Sequence, residues 1–333
     1  MTDQQSELDQ QAYRSGERHA KAAETANGEQ RPSGSSDPIA MGLNFLFSRR
    51  HEQSWGLNNL HGQESAWVTA YVLARLAEIP SHRISYSLGL KIEKSLDWLQ
   101  ETRTPSGGWG FSSGAPDDAD STSWAVIALR HHGRLAPNES LDLIRSCRRR
   151  DGGFSILPGI DADGVSRPSA PDVTAIAVRA LASIDAASSE YLAAHLRTDL
   201  PATPCRLASA FFVSSTLLDW EPGMAPWFVV NAVHQLTCQQ AGEGAWEQAL
   251  RLRCMMRLGM QSAWTVAAGL RRLQQADGSW LGSAQLATSS QHGATPLVDD
   301  QGVLATVTAL AALAMGDLQP GLYFGSDLPF RRL

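Results

Sequence analysis

Three aspartates stand within four residues, at Asp117, Asp118 and Asp120, directly before the apolar run Ser121-Thr-Ser-Trp-Ala-Val-Ile-Ala-Leu129. Carboxyl groups crowded beside an apolar interior cannot all ionise. Burial and neighbouring negative charge raise the pKa of one of them, leaving a neutral carboxylic acid that can give up a proton at neutral pH. Aspartate is also a favoured N-cap, and Pro171-Asp172-Val-Thr174 and Asp300-Gln-Gly302 repeat an acid at comparable helix starts. Capping explains one acid of the segment and leaves the others without a role.

The elements that must position these acids form a repeat, the first pattern to seek in any chain. An amphipathic helix ends in Gln or Arg, a glycine turn and an aromatic residue follow, and a second, more apolar helix completes the unit. The turn reads Gln240-xxx-Gly244-x-Trp246, Gln274-xxx-Gly278-x-Trp280 and Arg148-xxx-Gly152-x-Phe154. Gln100 to Gly108-Trp109 carries an insertion, and Arg49-xxx-Gln53-x-Trp55 is a weaker copy. The gap of 92 residues between Phe154 and Trp246 leaves room for one more unit, supplied by residues 188–219. Six hairpins result.

The second helices are apolar on most sides, at 65–77, 121–132, 173–184, 206–218 and 303–315, whereas 90–100 and 140–150 carry one apolar stripe opposite charges. The fifth, 247–259, is the exception. Alternating buried and half-exposed helices imply two concentric layers, and six pairs can close into a ring that hides both ends of the repeat. The expected fold is an all-α, α6/α6 toroid. Its inner helices run the same way, so their N-termini share one mouth.

Residues 1–37 are poor in large apolar side chains and hold seven acids and four bases, half of the formal net charge of -6. They read as a disordered polar tail, and 38–333 as one toroid domain. No basic stripe points to nucleic acid. The N-terminus lacks a signal pattern and no apolar run reaches the length of a membrane span. Cys147, Cys205, Cys238 and Cys254 lie far apart without CxxC spacing, so a cytoplasmic chain without disulfides or a zinc knuckle is expected.

The QW-type turns followed by Gly107-Gly-Trp-Gly-Phe111 and Pro116-Asp-Asp-Ala-Asp-Ser-Thr-Ser-Trp124 resemble the squalene-hopene cyclase and class II terpene cyclase superfamily, in particular its Asp-bearing β domain. The family's acid motif is Asp-x-Asp-Asp-Thr. Aligned on Thr122, Asp120 takes the place of the proton-donating aspartate, Asp118 precedes it, and Ser121 stands where the family has a third Asp. The resemblance covers nearly all of 40–315 and implies protonation-initiated cyclisation of a polyprenyl diphosphate or related isoprenoid, with no metal in the chemical step. Mg2+ would enter only with a diphosphate.

In that picture Trp124, Trp67 and Thr122 face the substrate or its cation, aromatic faces being suited to hold one. Arg206 and Arg251, with Arg253, begin inner helices and could meet a diphosphate. Full-length relatives pair two toroids, so a γ-domain-like second toroid protein or another copy is the expected partner. Two alternatives accompany this reading. One is a non-catalytic toroid that scaffolds another cyclase. The other is a protein-prenyltransferase β-like subunit, for which Cys205 lacks the family's Asp two residues earlier, Thr203 standing there.

Overall fold

Three of the outer helices start where a polar side chain meets their free amides. Asp37 accepts from the Ile39 amide at 3.1 Å, Pro38 follows it at the first helical position, and Ser85 and Asp185 cap two further helices in the same way. The computed structural model describes residues 37–57, 64–159, 168–197, 204–219, 227–237, 244–282 and 299–317. Of the expected tail, 1–37, all but Asp37, the cap of the first helix, lies outside the described residues.

Twelve α-helices are present among the described residues. In chain order they are α1 (Pro38–Ser48), α2 (Ala66–Leu76), α3 (Tyr86–Glu101), α4 (Ala119–His131), α5 (Asn138–Ser146) and α6 (Pro171–Leu181). There follow α7 (Ala186–His195), α8 (Pro204–Leu218), α9 (Trp227–Leu236), α10 (Ala245–Arg257), α11 (Ala263–Arg272) and α12 (Val303–Ala314). The even-numbered helices form the inner layer: α2 packs on α4, α4 on α6, α6 on α8, α8 on α10, α10 on α12, and α12 back on α2. The ring is closed. Every residue of α2 and of α12 is buried, whereas α3 buries only Ile92, Ser95, Leu96 and Leu99. The two-layer toroid read from the repeat is therefore the observed fold.

Four of the turn aromatics are clipped to the inner helix that they precede. The backbone N–H groups of Trp55, Trp109, Phe154 and Trp280 donate to the hydroxyls of Thr69, Thr122, Thr174 and Thr306 at 2.9, 3.1, 2.8 and 3.0 Å. The indole N–H groups of Trp55, Trp109 and Trp280 reach back to the carbonyls of Leu46, Leu99 and Leu270 at the preceding outer helix. One tryptophan thus satisfies groups on both helices of its hairpin. At Gly278 the backbone has φ 90°, and a Cβ there would stand 2.4 Å from the Met41 carbonyl of α1, so only glycine fits.

Two expectations change here. Thr122 does not face the centre of the ring, because its buried hydroxyl is engaged by the Trp109 backbone. Trp246 is no turn clip; it is the second residue of α10, and Gln240 lies outside the described residues.

The end of the ring where the inner helices finish is crossed by ion pairs. Asp219, just past α8, meets Arg75 of α2 at 2.8 Å, Arg179 of α6 at 3.4 Å and Arg257 of α10 at 3.3 Å, and also pairs with Arg253. Glu78 pairs with Arg75 and Arg253. No described helix is long and apolar enough to cross a membrane.

Candidate active site

Which aspartate caps α4 depends on where the helix begins. The chain is still extended at Asp118 (φ -134°, ψ 158°) and turns helical at Ala119, whose N–H, free as at any helix start, donates to the Ile156 carbonyl at 2.7 Å. Asp118 is therefore the N-cap: its two carboxyl oxygens accept from the Ser121 N–H and the Ser121 hydroxyl, both at 2.7 Å. Ser121, the departure from the family motif, completes this cap. Asp117 accepts from the hydroxyls of Thr104 and Ser106 in the preceding turn.

Asp120 is left free of capping duty. It stands in the first turn of α4, half-buried at the mouth of the inner layer. Its Oδ2 accepts from the Trp67 indole at 2.9 Å, and its Oδ1 is sealed from solvent with no hydrogen-bond partner. Burial, then the charge of Asp118, then that of Asp172 on α6, push its carboxyl well above the usual carboxylate range, with the Trp67 hydrogen bond opposing them. Asp118 is pushed up to about 6 by burial, against its hydrogen bonds from Ser121. A carboxyl with few donors in a dry setting keeps its proton.

Aromatic rings continue inward from this acid. Trp67 stacks on Tyr71 at 5.9 Å between ring centroids and leans on Phe111 at 5.5 Å. Tyr71 meets the edge of Trp124 at 4.8 Å, Trp124 meets Phe212 at 6.3 Å, and Phe212 stacks on Trp246 at 6.0 Å. Trp124 is 0% exposed, and the Arg75 guanidinium lies 5.3 Å from its ring and 5.2 Å from that of Tyr71. These rings already hold a cation, the geometry in which a quadrupole is attractive.

The structure thus brings together Asp120, Asp118, Trp67 and Trp124, and adds Tyr71, Phe111, Phe212, Trp246 and Asp172. A pattern was available for some of these: Trp67, Tyr71 and Arg75 recur every four residues on one face of α2. Arg251 does not join them. The helix α10 begins at Ala245, so Arg251 lies almost two turns in, and its guanidinium donates to the Thr237 carbonyl at 2.6 Å. Arg253 is buried among the ion pairs at the other end. Arg206 falls in the first turn of α8, and its side chain lies outside the described residues. Among the described residues no group of three or more His, Cys, Asp and Glu is placed to hold a metal ion.

Solved structures share this architecture. The type II terpene cyclase MstE from Scytonema superposes with a TM-score of 0.64 at 17% identity, over 84% of this chain and 95% of its own. The fold is that of the type II terpene cyclases. The ent-copalyl diphosphate synthase from Streptomyces platensis has a TM-score of 0.51 at 21% identity, over 76% of this chain and 50% of that one. By sequence, the chain is 37% identical over 89 residues to the drimenyl diphosphate synthase of Streptomyces showdoensis. It is 31% identical over 142 residues to that of Streptantibioticus cattleyicolor. These matches cover 26% and 40% of this chain but span only 16% and 26% of those relatives. No family model matches the chain.

Proposed function

We propose that this toroid is a class II terpene cyclase in which Asp120 is the general acid. The observation that carries the reading is the division of labour between the two acids: Asp118 caps the helix, and Asp120 keeps an unpartnered oxygen in a dry, aromatic setting. An un-ionised carboxyl there donates its proton to a carbon of the terminal alkene, leaving a cation on the neighbouring carbon. Later double bonds attack in turn, forming carbon–carbon bonds, until a final proton loss or capture of water ends the sequence. Trp67 orients the acid and offers a ring face to the cation, whereas Tyr71 and the fully buried Trp124, the latter expected to face it, are taken up by the Arg75 guanidinium.

The substrate class is a polyprenyl diphosphate or a related isoprenoid. Two relatives are drimenyl diphosphate synthases, and MstE has been solved with geranylgeranyl dihydroxybenzoate as substrate. Protonation of carbon needs no metal in this reading; Mg2+ would travel with a diphosphate as part of the substrate. A cover must keep water from the cation. The half-covered ent-copalyl diphosphate synthase supports a second toroid unit, or a second copy, as that cover. The extent of MstE supports a ring that works alone. We place the protein in the cytoplasm.

Incubation with farnesyl and geranylgeranyl diphosphates, with the chain alone and with any co-encoded toroid protein, tests the proposal. Cyclised product is expected, falling by more than about 100-fold in Asp120→Asn while the helical signal is unchanged. Full turnover by that variant removes Asp120 as the acid. A chain that binds a toroid partner without ever turning over is the scaffold instead.

A further inference from the structure

The start of α2 and the turn that leads into α4 are joined at three places. The first is Ser65, the fully buried N-cap of α2. Its Oγ accepts from the Val68 N–H at 3.2 Å, as a cap does, and its hydroxyl donates to the Phe111 carbonyl at 2.6 Å. The second is the Phe111 ring, which leans on Trp67 at 5.5 Å. The third is the Trp67 indole N–H, which donates to Asp120 Oδ2 at 2.9 Å.

Little within that turn can move separately. The Asp118 N–H donates to the Trp109 carbonyl at 3.1 Å, and the backbones of Gly110 and Asp117 pair in an isolated bridge. A Cβ on Gly110 would stand 2.4 Å from the Ala115 carbonyl oxygen. Phe111 and Asp120 are thus tied into one unit. On the other side, Trp67 follows Ser65 by two residues on a helix that is buried throughout. The same joint recurs one repeat on, where the Ala119 N–H meets the Ile156 carbonyl at 2.7 Å. Phe111 and Ile156 are each the second residue after their turn aromatic. At that later joint the donor is backbone; beside the acid it is a side chain. Capping asks Ser65 only to accept, so its donated bond has another task.

Resting on the proposed role of Asp120, we infer that Ser65 is a positioning residue for the acid. By tying the Phe111 carbonyl to the start of α2, its hydroxyl holds the Trp67 indole on the Asp120 carboxyl. It touches no reacting atom.

Ser65→Gly separates this task from capping, because glycine caps a helix almost as well as serine and has no hydroxyl to donate. Ser65→Ala removes the hydroxyl without adding backbone freedom, and Ser65→Thr keeps it. The indole N–H resonance of 15N-labelled Trp67, assigned with Trp67→Phe, reads the bond to Asp120 in the full chain. Its position in Asp120→Ala marks an indole without that acceptor. In Ser65→Gly and Ser65→Ala the resonance is expected to move toward that mark, and in Ser65→Thr to return. With farnesyl or geranylgeranyl diphosphate, kcat of Ser65→Gly should fall about tenfold with KM little changed. Added to Trp67→Phe, the same substitution should lower kcat no further. A native resonance in whichever of the two hydroxyl-free variants folds, or an equal loss of kcat in both backgrounds, overturns the inference. A moved resonance in a chain that cyclises nothing leaves the inference standing and removes the proposed reaction.

Discussion

The two ends of the ring treat buried acids in opposite ways. At the mouth, Asp118, Asp120, Asp172 and Asp299 are all pushed above the usual carboxylate range by burial, with no guanidinium among the causes. At the far end, arginines outweigh the same burial and hold Glu78 and Asp219 below it. Helix dipoles favour anions at N-termini and cations at C-termini, which suits the arginines where the inner helices end. At the mouth that field favours the anion, and burial with mutual repulsion outweighs it. One end is a tied structural closure, and the other buries its acids without a guanidinium to hold their charge.

The largest test of this contrast is Asp219→Ala. It leaves buried arginines without their shared anion and should cost about 3–5 kcal/mol in urea unfolding. Asp120→Asn, at the mouth, should leave the unfolding midpoint almost where it was while removing activity. Equal losses of stability in both would erase the distinction between the ends.

Thr122→Val comes next. It strands the buried Trp109 N–H and should cost about 1–3 kcal/mol, as should Thr306→Val at Trp280 in the last hairpin. A Thr122→Val protein of native stability whose turnover alone has changed would return this residue to the substrate.

The smallest effect is a pH slope. Asp118 and Asp299 titrate at about 6 in the fold against an ordinary 3.8. A raised folded pKa means that the stability present below 3.8 is lost as the pH rises through about 6. Asp219 and Glu78 are lowered, so their contribution is lost instead as the pH falls through their folded values. Asp118→Asn keeps a competent cap and should flatten the decline between pH 3.8 and about 6 in unfolding midpoints.

The ring was legible because its signal is periodic. Burial follows the apolar pattern, and helix limits such as 65–77 against the observed Ala66–Leu76 differ by one residue at each end. The fifth unit was misread because its Gln-xxx-Gly-x-Trp spacing looks complete. Yet α10, AWEQALRLRCMMR, contains no threonine to clip the aromatic, and that absence was visible. The acid motif was legible as a cluster, but which acid caps the helix rests on where the chain turns helical, just after Asp118, a boundary that residue types alone leave open by one or two positions. Asp300 was expected at the last helix start; Asp299 takes the Ala305 amide at 2.7 Å instead. The arginine end escaped notice because Asp219 lies just beyond a helix and its partners come from three other inner helices.

The central claim concerns one proton, and infrared spectroscopy reads it directly. The spectrum of the native protein at pH 7.5 minus that of Asp120→Asn, without substrate, should contain a protonated-carboxyl stretch that shifts in deuterium oxide. A difference made only of ionised-carboxylate bands would contradict the account, because Asp120 would then have no proton to give.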